Sequence, residues 1–381
     1  MKMFHKKRLL FFYLILLWVH PFSTAQIFQY NEKTETIESI RSSIDKLYNQ
    51  DFAGATRGFQ FIKNKFPENP AYWLAMGISL YWKMMPDQDD SEGILLFHNF
   101  MDTVIYKAKL NLQKEPNDIE NLFYITAAHG FKAGKYSEEN QLFLAVKQAE
   151  RAYFYLKKGI FPSTRNIEFL FPSGLYNYFA VKFPEIQPLA KPLMIFFPDG
   201  DKYKGISEIK LATENALFTR AEAEVYLMRI FLRNENNPAE ALHYARILTA
   251  RYPRNLYFAS YCSEALLYLQ RFKEAQQIIN KLMKDDKPYY KAIGLLQAGY
   301  LAEKGTRNLS VAKNNYLNAI SASKGRRTES KRIMGLAYSG LARCAISDNQ
   351  PKKAREFYKK ALDYLDYDHF RIEAILFLKG T

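Results

Sequence analysis

The side chains able to do chemistry are few and widely spaced. There are six histidines. His5 and His20 fall in an N-terminal leader, and His98, His129, His243 and His369 each lack a second histidine or a cysteine one helical turn away, so no helix-borne zinc site is spelled out. Cys262 and Cys344 are the only cysteines. They belong to helices two structural units apart, too far for the Cα separation of under about 7 Å that a disulfide requires, and buried free thiols are expected. Asp87, Asp89, Asp90 and Glu92 form an acidic turn. A calcium loop starting at Asp87 would need glycine at its sixth place and a carboxylate at its twelfth, and these are Glu92 and His98. Asp199 and Asp201 flank Gly200 and read as turn and capping residues. No G-x-S-x-G, G-x-G-x-x-G or G-x-x-x-x-G-K-[ST] spacing occurs. Nothing calls for a metal or a cofactor, and the chain reads as a non-enzyme.

Charge gives a second lead. Of the formal +15, residues 255–381 hold +10, with 22 Lys or Arg against 12 Asp or Glu. The strongest cluster is Lys324, Arg326, Arg327, Lys331 and Arg332. Such a cluster attracts an acidic protein or anionic headgroups. The leader argues against nucleic acid as the partner. Lys2, Lys6, Lys7 and Arg8 precede an apolar run of 11 residues at 9–19, and Ser23-Thr24-Ala25 offers a cleavage site before Gln26. Eleven apolar residues are too few to span a bilayer, which takes about 20. Residues 1–25 are therefore read as a signal peptide, and the remainder as an exported protein, periplasmic or associated with the outer envelope, with no transmembrane span and with peripheral envelope contact allowed.

The elements that position these residues are helices. Stretches 236–255 and 266–275 each carry a small residue early in a second helix, Ala241 and Ala275, 34 residues apart. Pro253 and Pro288 follow each alanine by 12 or 13 residues. Ala55 and Pro67 repeat the pattern near the N-terminus, and Ala312 and Ala354 near the C-terminus. Helical spacing of apolar residues fills the intervals, for example at Ile37, Ile40, Ile44 and Leu47. Gly134-Lys135-Tyr136 reads as the turn within one hairpin. Residues 159–204 differ, since Pro162, Pro172, Pro184, Pro188, Pro192 and Pro198 argue against long helices. That segment is expected to be a packed, irregular, aromatic-rich insert with short helices. The division is a leader at 1–25, degenerate helical pairs at 26–158, the insert at 159–204, and a basic array with a capping helix at 205–381.

A period of about 34 residues with these features resembles the tetratricopeptide repeat (TPR), most clearly in LLYLQRFKEA and in QPKKAREFYKKAL at 350–362. The stretch FFPDGDKYKGISEIKLATENALFTRAEAEVYL at 196–227 resembles the inclusion-body-clearance family of TPR proteins and exported bacterial TPR proteins. The resemblance implies an all-α, right-handed helical-hairpin solenoid acting as a scaffold or adaptor. In that geometry the first helix of each pair lines a concave groove. The face so placed carries Tyr226, Arg233 and Asn234, then Ser260, Glu264 and Tyr268, then Tyr300 and Lys304, then Ser339 and Arg343. Tyrosine and arginine dominate binding energy at interfaces, and Arg343 is placed to grip a carboxylate with two donors. The expected function is non-catalytic binding of a protein or peptide, acidic for preference, in this groove. The alternative is a glycan-binding accessory role, suggested by 59 aromatic residues.

Overall fold

The computed structural model describes residues 34–86, 90–160, 166–186, 188–324 and 328–380. The leader, Asp87, Asp89, Pro162, Arg326 and Arg327 lie outside them. Among the described residues every regular element is a helix. They pack as consecutive hairpins: α1 (Thr34–Tyr48) with α2 (Phe52–Lys65), α3 (Ala71–Met84) with α4 (Ser91–Lys114), and α5 (Ile119–Glu138) with α6 (Leu142–Ile160). Then come α7 (Leu170–Ile186) with α8 (Lys202–Asn215), α9 (Arg220–Arg233) with α10 (Pro238–Arg251), and α11 (Leu256–Tyr268) with α12 (Phe272–Met283). The series ends with α13 (Pro288–Lys304) on α14 (Leu309–Ser323), α15 (Thr328–Ser347) on α16 (Pro351–Leu362), and a last helix, α17 (Asp368–Gly380). This is a TPR-like helical solenoid.

Local chemistry explains the repeat. Six of the hairpin turns carry one residue in left-handed backbone: Gln50, Asn140, Asn236, Gln270, Arg307 and Asn349. A side-chain cap starts the next helix in three of them, from Asp51, Asn237 and Asn308. The fourth residue of the second helix is then a fully or almost fully buried alanine at positions 55, 145, 241, 275, 312 and 354. A larger side chain there would hold the paired helices apart.

The segment 159–204 departs from the expected irregular insert. Residues Leu170–Ile186 form a regular helix of 17 residues. Pro172 lies in its first turn, where an N–H has no acceptor to lose, and Pro184 lies near its end, so neither proline breaks the middle. Gly205 takes the fourth place of α8, where six other second helices have alanine. A Cβ on Gly205 would lie 2.7 Å from the Gly174 carbonyl oxygen, and one on Gly174 would lie 2.7 Å from that of Gly205. The two backbones touch, so α7 and α8 form one more hairpin. The irregular part shrinks to the connection between them, which includes a 3-10 helix at Pro188–Phe196. The expected turn at Gly134 is also displaced: α5 continues to Glu138 and the chain reverses at Asn140.

Two buried carboxylates tie this framework together. Glu168 sits in a 3-10 turn before α7 and is 2% exposed. It accepts the backbone N–H groups of Leu217 (2.7 Å), Phe218 (3.1 Å) and Thr219 (2.9 Å) and the Thr219 hydroxyl (2.8 Å). It therefore caps α9 from a distance, a place where negative charge is favoured. Glu222, on α9, accepts the Tyr48 hydroxyl and the Trp82 indole N–H, both at 2.8 Å. Around it Trp82 meets Tyr257 and Phe258 with ring centroids 5.6 and 5.5 Å apart. Asn255 donates to the Tyr48 carbonyl at 2.7 Å, and Tyr252 donates to Asp45 at 3.0 Å. The solenoid thus curls until its first two hairpins rest on α9 and α11.

Replacing Glu168 by alanine would leave three N–H groups without this acceptor and is expected to cost about 2–4 kcal/mol. Glu168→Gln, which keeps one acceptor oxygen, should cost less. Urea midpoints of the two variants check this, and equal midpoints would refute the capping role. Burial raises the Glu222 carboxyl above its ordinary range, against the opposing bonds from Trp82 and Tyr48. The folded state then holds a proton more tightly than the unfolded state, so Glu222 contributes a loss of stability as pH rises through its raised value. Glu222→Gln keeps an acceptor and removes that titration. Its stability relative to the parent should rise from pH 5 to pH 8, as read by thermal unfolding.

Candidate functional site

The expected groove residues lie on α9, α11, α13 and α15 or at their ends, and the chain itself occupies much of the inward face of these helices. The residues between α16 and α17, together with α17, lie along it. Asp368 pairs with Lys182 of α7 at 2.6 Å. Asp366 pairs with Arg233 of α9 at 3.2 Å. Tyr367 is fully buried, and Arg332 of α15 donates to its hydroxyl at 2.9 Å. Phe370 packs edge-on against Tyr268 of α11, 5.9 Å between centroids, and lies 5.2 Å from the Arg343 guanidinium. Glu373 accepts from Arg343 at 3.3 Å and from Tyr358 at 2.6 Å. The pocket beneath Phe370, bordered by Glu264, Tyr268, Tyr300 and Arg343, keeps a volume of only about 20 Å³.

Each expected residue has a definite place. Tyr226 is half-buried beneath Phe171 of α7, at 5.5 Å. Arg233 is buried and stacks over Tyr261 and Tyr367 at 5.3 and 5.9 Å. Asn234 ends α9 as its half-buried C-cap. Glu264 is buried and accepts from Tyr268 at 2.9 Å and from Arg332 at 3.2 Å. Tyr268 and Tyr300 meet edge to face at 5.3 Å. Ser260 and Ser339 are buried and donate to backbone carbonyls of their own helices, Tyr257 and Gly335. Lys304 is exposed and lies 2.9 Å from Glu303.

Arg343 grips a carboxylate with two donors, as its chemistry suggests, and that carboxylate is Glu303 of the neighbouring first helix, at 2.7 and 2.9 Å. Tyr316 donates to the same carboxylate at 2.7 Å. Burial alone would lift the Glu303 carboxyl, but the guanidinium outweighs it and holds the group below the usual carboxylate range.

The described cations of the basic stretch do not share one surface. Lys324 is exposed and Lys331 half-buried, while Arg332 is 3% exposed and committed to Glu264 and Tyr367. Arg332 lies on the inward face of α15, where a long cation is retained by a buried carboxylate. Much of the aromatic surplus is core: Tyr178, Tyr257, Tyr261, Tyr290, Tyr316, Tyr358 and Tyr367 are fully buried, whereas sugar stacking needs exposed rings. Asp90 and Asp201 cap α4 and α8. Burial raises the thiols of Cys262 and Cys344 to about 11, and both are free. Among the described residues, no three His, Cys, Asp or Glu side chains gather as metal ligands, and no helix is long and apolar enough to cross a membrane.

Sequence reasoning missed the acidic half of this face: Glu303, Asp366, Asp368 and Glu373. One signal was available. Glu303 and Arg343 are 40 residues apart, about one repeat, so both fall on neighbouring first helices.

No family model and no curated protein matches the chain. Among solved structures it is similar to the crystal structure of the P58(IPK) TPR domain, with 13% identity, 91% of this chain and 99% of that chain covered, and a TM-score of 0.26. It is also similar to the crystal structure of yeast Tom70, with 13% identity, 92% and 96% covered, and a TM-score of 0.21. The hairpin architecture therefore stands on the helix pairing described above.

Arg343→Met would leave the Glu303 carboxylate buried without its guanidinium and is expected to cost about 3–5 kcal/mol at neutral pH. Without the cation, burial raises the carboxyl, so the variant should recover stability as pH falls toward 5. The parent, whose carboxyl is held low, keeps this contribution until pH drops below the carboxylate range. Urea unfolding at two pH values checks both the loss and the recovery.

Proposed function

We propose that this chain is an exported, non-catalytic scaffold that binds a protein partner on the inward face of its first helices. The partner offers an acidic helical segment with an aromatic side chain at its centre. The observation behind this reading is the occupant already there. Asp366, Asp368 and Glu373 meet Arg233, Lys182 and Arg343, while Phe370 fills the space between Tyr268 and Arg343. A face that suits this segment within one chain has the chemistry to take a similar segment from another. Export rests on the basic, apolar and small-residue succession of residues 1–25.

The tethered segment competes at an effective concentration on the order of millimolar, so loosening it is expected to open the face. A labelled peptide of residues 364–380 is added to the parent chain and to an Asp366→Lys, Glu373→Lys variant, with fluorescence anisotropy as the readout. The variant should bind at least about tenfold tighter than the parent and should ignore a scrambled peptide. Failure of both chains to bind, or equal binding of the scrambled peptide, would sink the reading.

A further inference from the structure

The outer face of α6 combines apolar and cationic side chains in a pattern that the partner-binding face does not use. Positions 143, 147, 151, 154 and 158 follow one another by four, four, three and four residues, so they share one side of the helix. They are Phe143, Lys147, Arg151, Phe154 and Lys158, all exposed, with Lys157 beside them. Phe143 is 68% exposed and Phe154 is 53% exposed. The Lys158 ammonium lies 4.4 Å from the centre of the Phe154 ring. Only Glu150 adds a negative charge to the exposed face of this helix. The opposite side of α6 is fixed against α5, so the mixed face turns away from its hairpin partner.

The 3-10 helix at Pro188–Phe196 packs against α6 and carries a similar mixture of exposed side chains. Leu189 and Ile195 are each 81% exposed, and Lys191 between them is exposed. Tyr153 of α6 stacks on Tyr176 of α7 at 4.2 Å, and the Tyr176 hydroxyl donates to the Pro198 carbonyl at 2.6 Å. These contacts hold the 3-10 helix beside α6. Two prolines stiffen it, which lowers the entropy lost when its side chains are immobilised.

We infer that α6 and the Pro188–Phe196 helix together dock the chain on an anionic lipid surface. Phe143, Phe154, Leu189 and Ile195 would enter the headgroup boundary, where a fixed helix buries its apolar side chains to a shallow depth. Lys147, Arg151, Lys157, Lys158 and Lys191 would meet lipid phosphates, their long stems lying along the same boundary. The charge decides the occupant. Five cations against one carboxylate suit a phosphate-rich sheet, and isolated apolar side chains separated by cations suit a fluid surface better than a shaped protein pocket. This surface is separate from the inward face proposed for partner binding, so either proposal can fail alone.

The test uses the chain from Gln26, which retains every described residue and lacks the apolar leader. It is sedimented with vesicles of phosphatidylcholine alone and with vesicles of equal parts phosphatidylcholine and phosphatidylglycerol. The chain should pellet with the anionic vesicles, and raised salt should release it. Lys157→Glu with Lys158→Glu should weaken partitioning by about tenfold or more. Leu189→Ser with Ile195→Ser should weaken it by about tenfold while leaving the unfolding midpoint unchanged. No pelleting with anionic vesicles overturns the proposal, as does equal pelleting with neutral ones. If the chain ignores vesicles but self-associates, and these same substitutions abolish the association, the surface is a contact between protein copies and the lipid assignment is wrong.

Discussion

Carboxylates buried on the inward helices set the shape of this molecule. Each needs a donor, because a buried charge left without one costs several kcal/mol. The donors come from far along the chain: Tyr48 is 174 residues from Glu222, Arg332 is 68 residues from Glu264, and Arg343 is 40 residues from Glu303. A simple solenoid is stabilised by contacts between neighbouring repeats. Here the first and second hairpins bond to the fifth, so the curvature is fixed by specific hydrogen bonds as well as by the small rotation between neighbours. The aromatic residues around Glu222 exclude water and make that demand for donors strict.

The hairpins were legible because they depend on local rules. A buried alanine at the fourth place of the second helix, an asparagine or glutamine that turns left-handed, and a capping side chain are all visible in short stretches. The hairpin α7–α8 was obscured by its prolines. A proline count suggested broken structure, whereas their positions at the two ends of α7 are the positions a helix tolerates. Gly205 was the missed clue, since it stands where six other hairpins have alanine. Occupation of the inward face could not be read from repeats at all. It depends on where the last helix falls relative to α7, α9 and α11, and that follows only from the curvature of the whole array.

Net charge identified the composition of the C-terminal third correctly and its surface poorly. Residues 255–381 carry an excess of cations, yet Arg332 and Arg343 are directed inward and paired there. A face that mixes exposed cations with exposed apolar groups lies on α6, outside the basic C-terminal third. A summed charge treats a buried guanidinium and a solvated ammonium alike. Their consequences differ, because the first fixes structure and the second stays available to a partner.

The same reasoning explains why the chain carries its own occupant. An inward face with Lys182, Arg233, Arg332 and Arg343 on it would carry an uncompensated excess of positive charge if it were empty. Glu264 and Glu303 offset part of that charge from the helices themselves. Asp366, Asp368 and Glu373 supply more, and Phe370 covers the apolar surface that remains between Tyr268 and Arg343. Any segment that replaced this one would have to bring both features, since a purely apolar helix would leave the cations unpaired and a purely acidic one would leave the aromatic faces wet. The resident sequence is therefore the most direct guide to the chemistry this face selects.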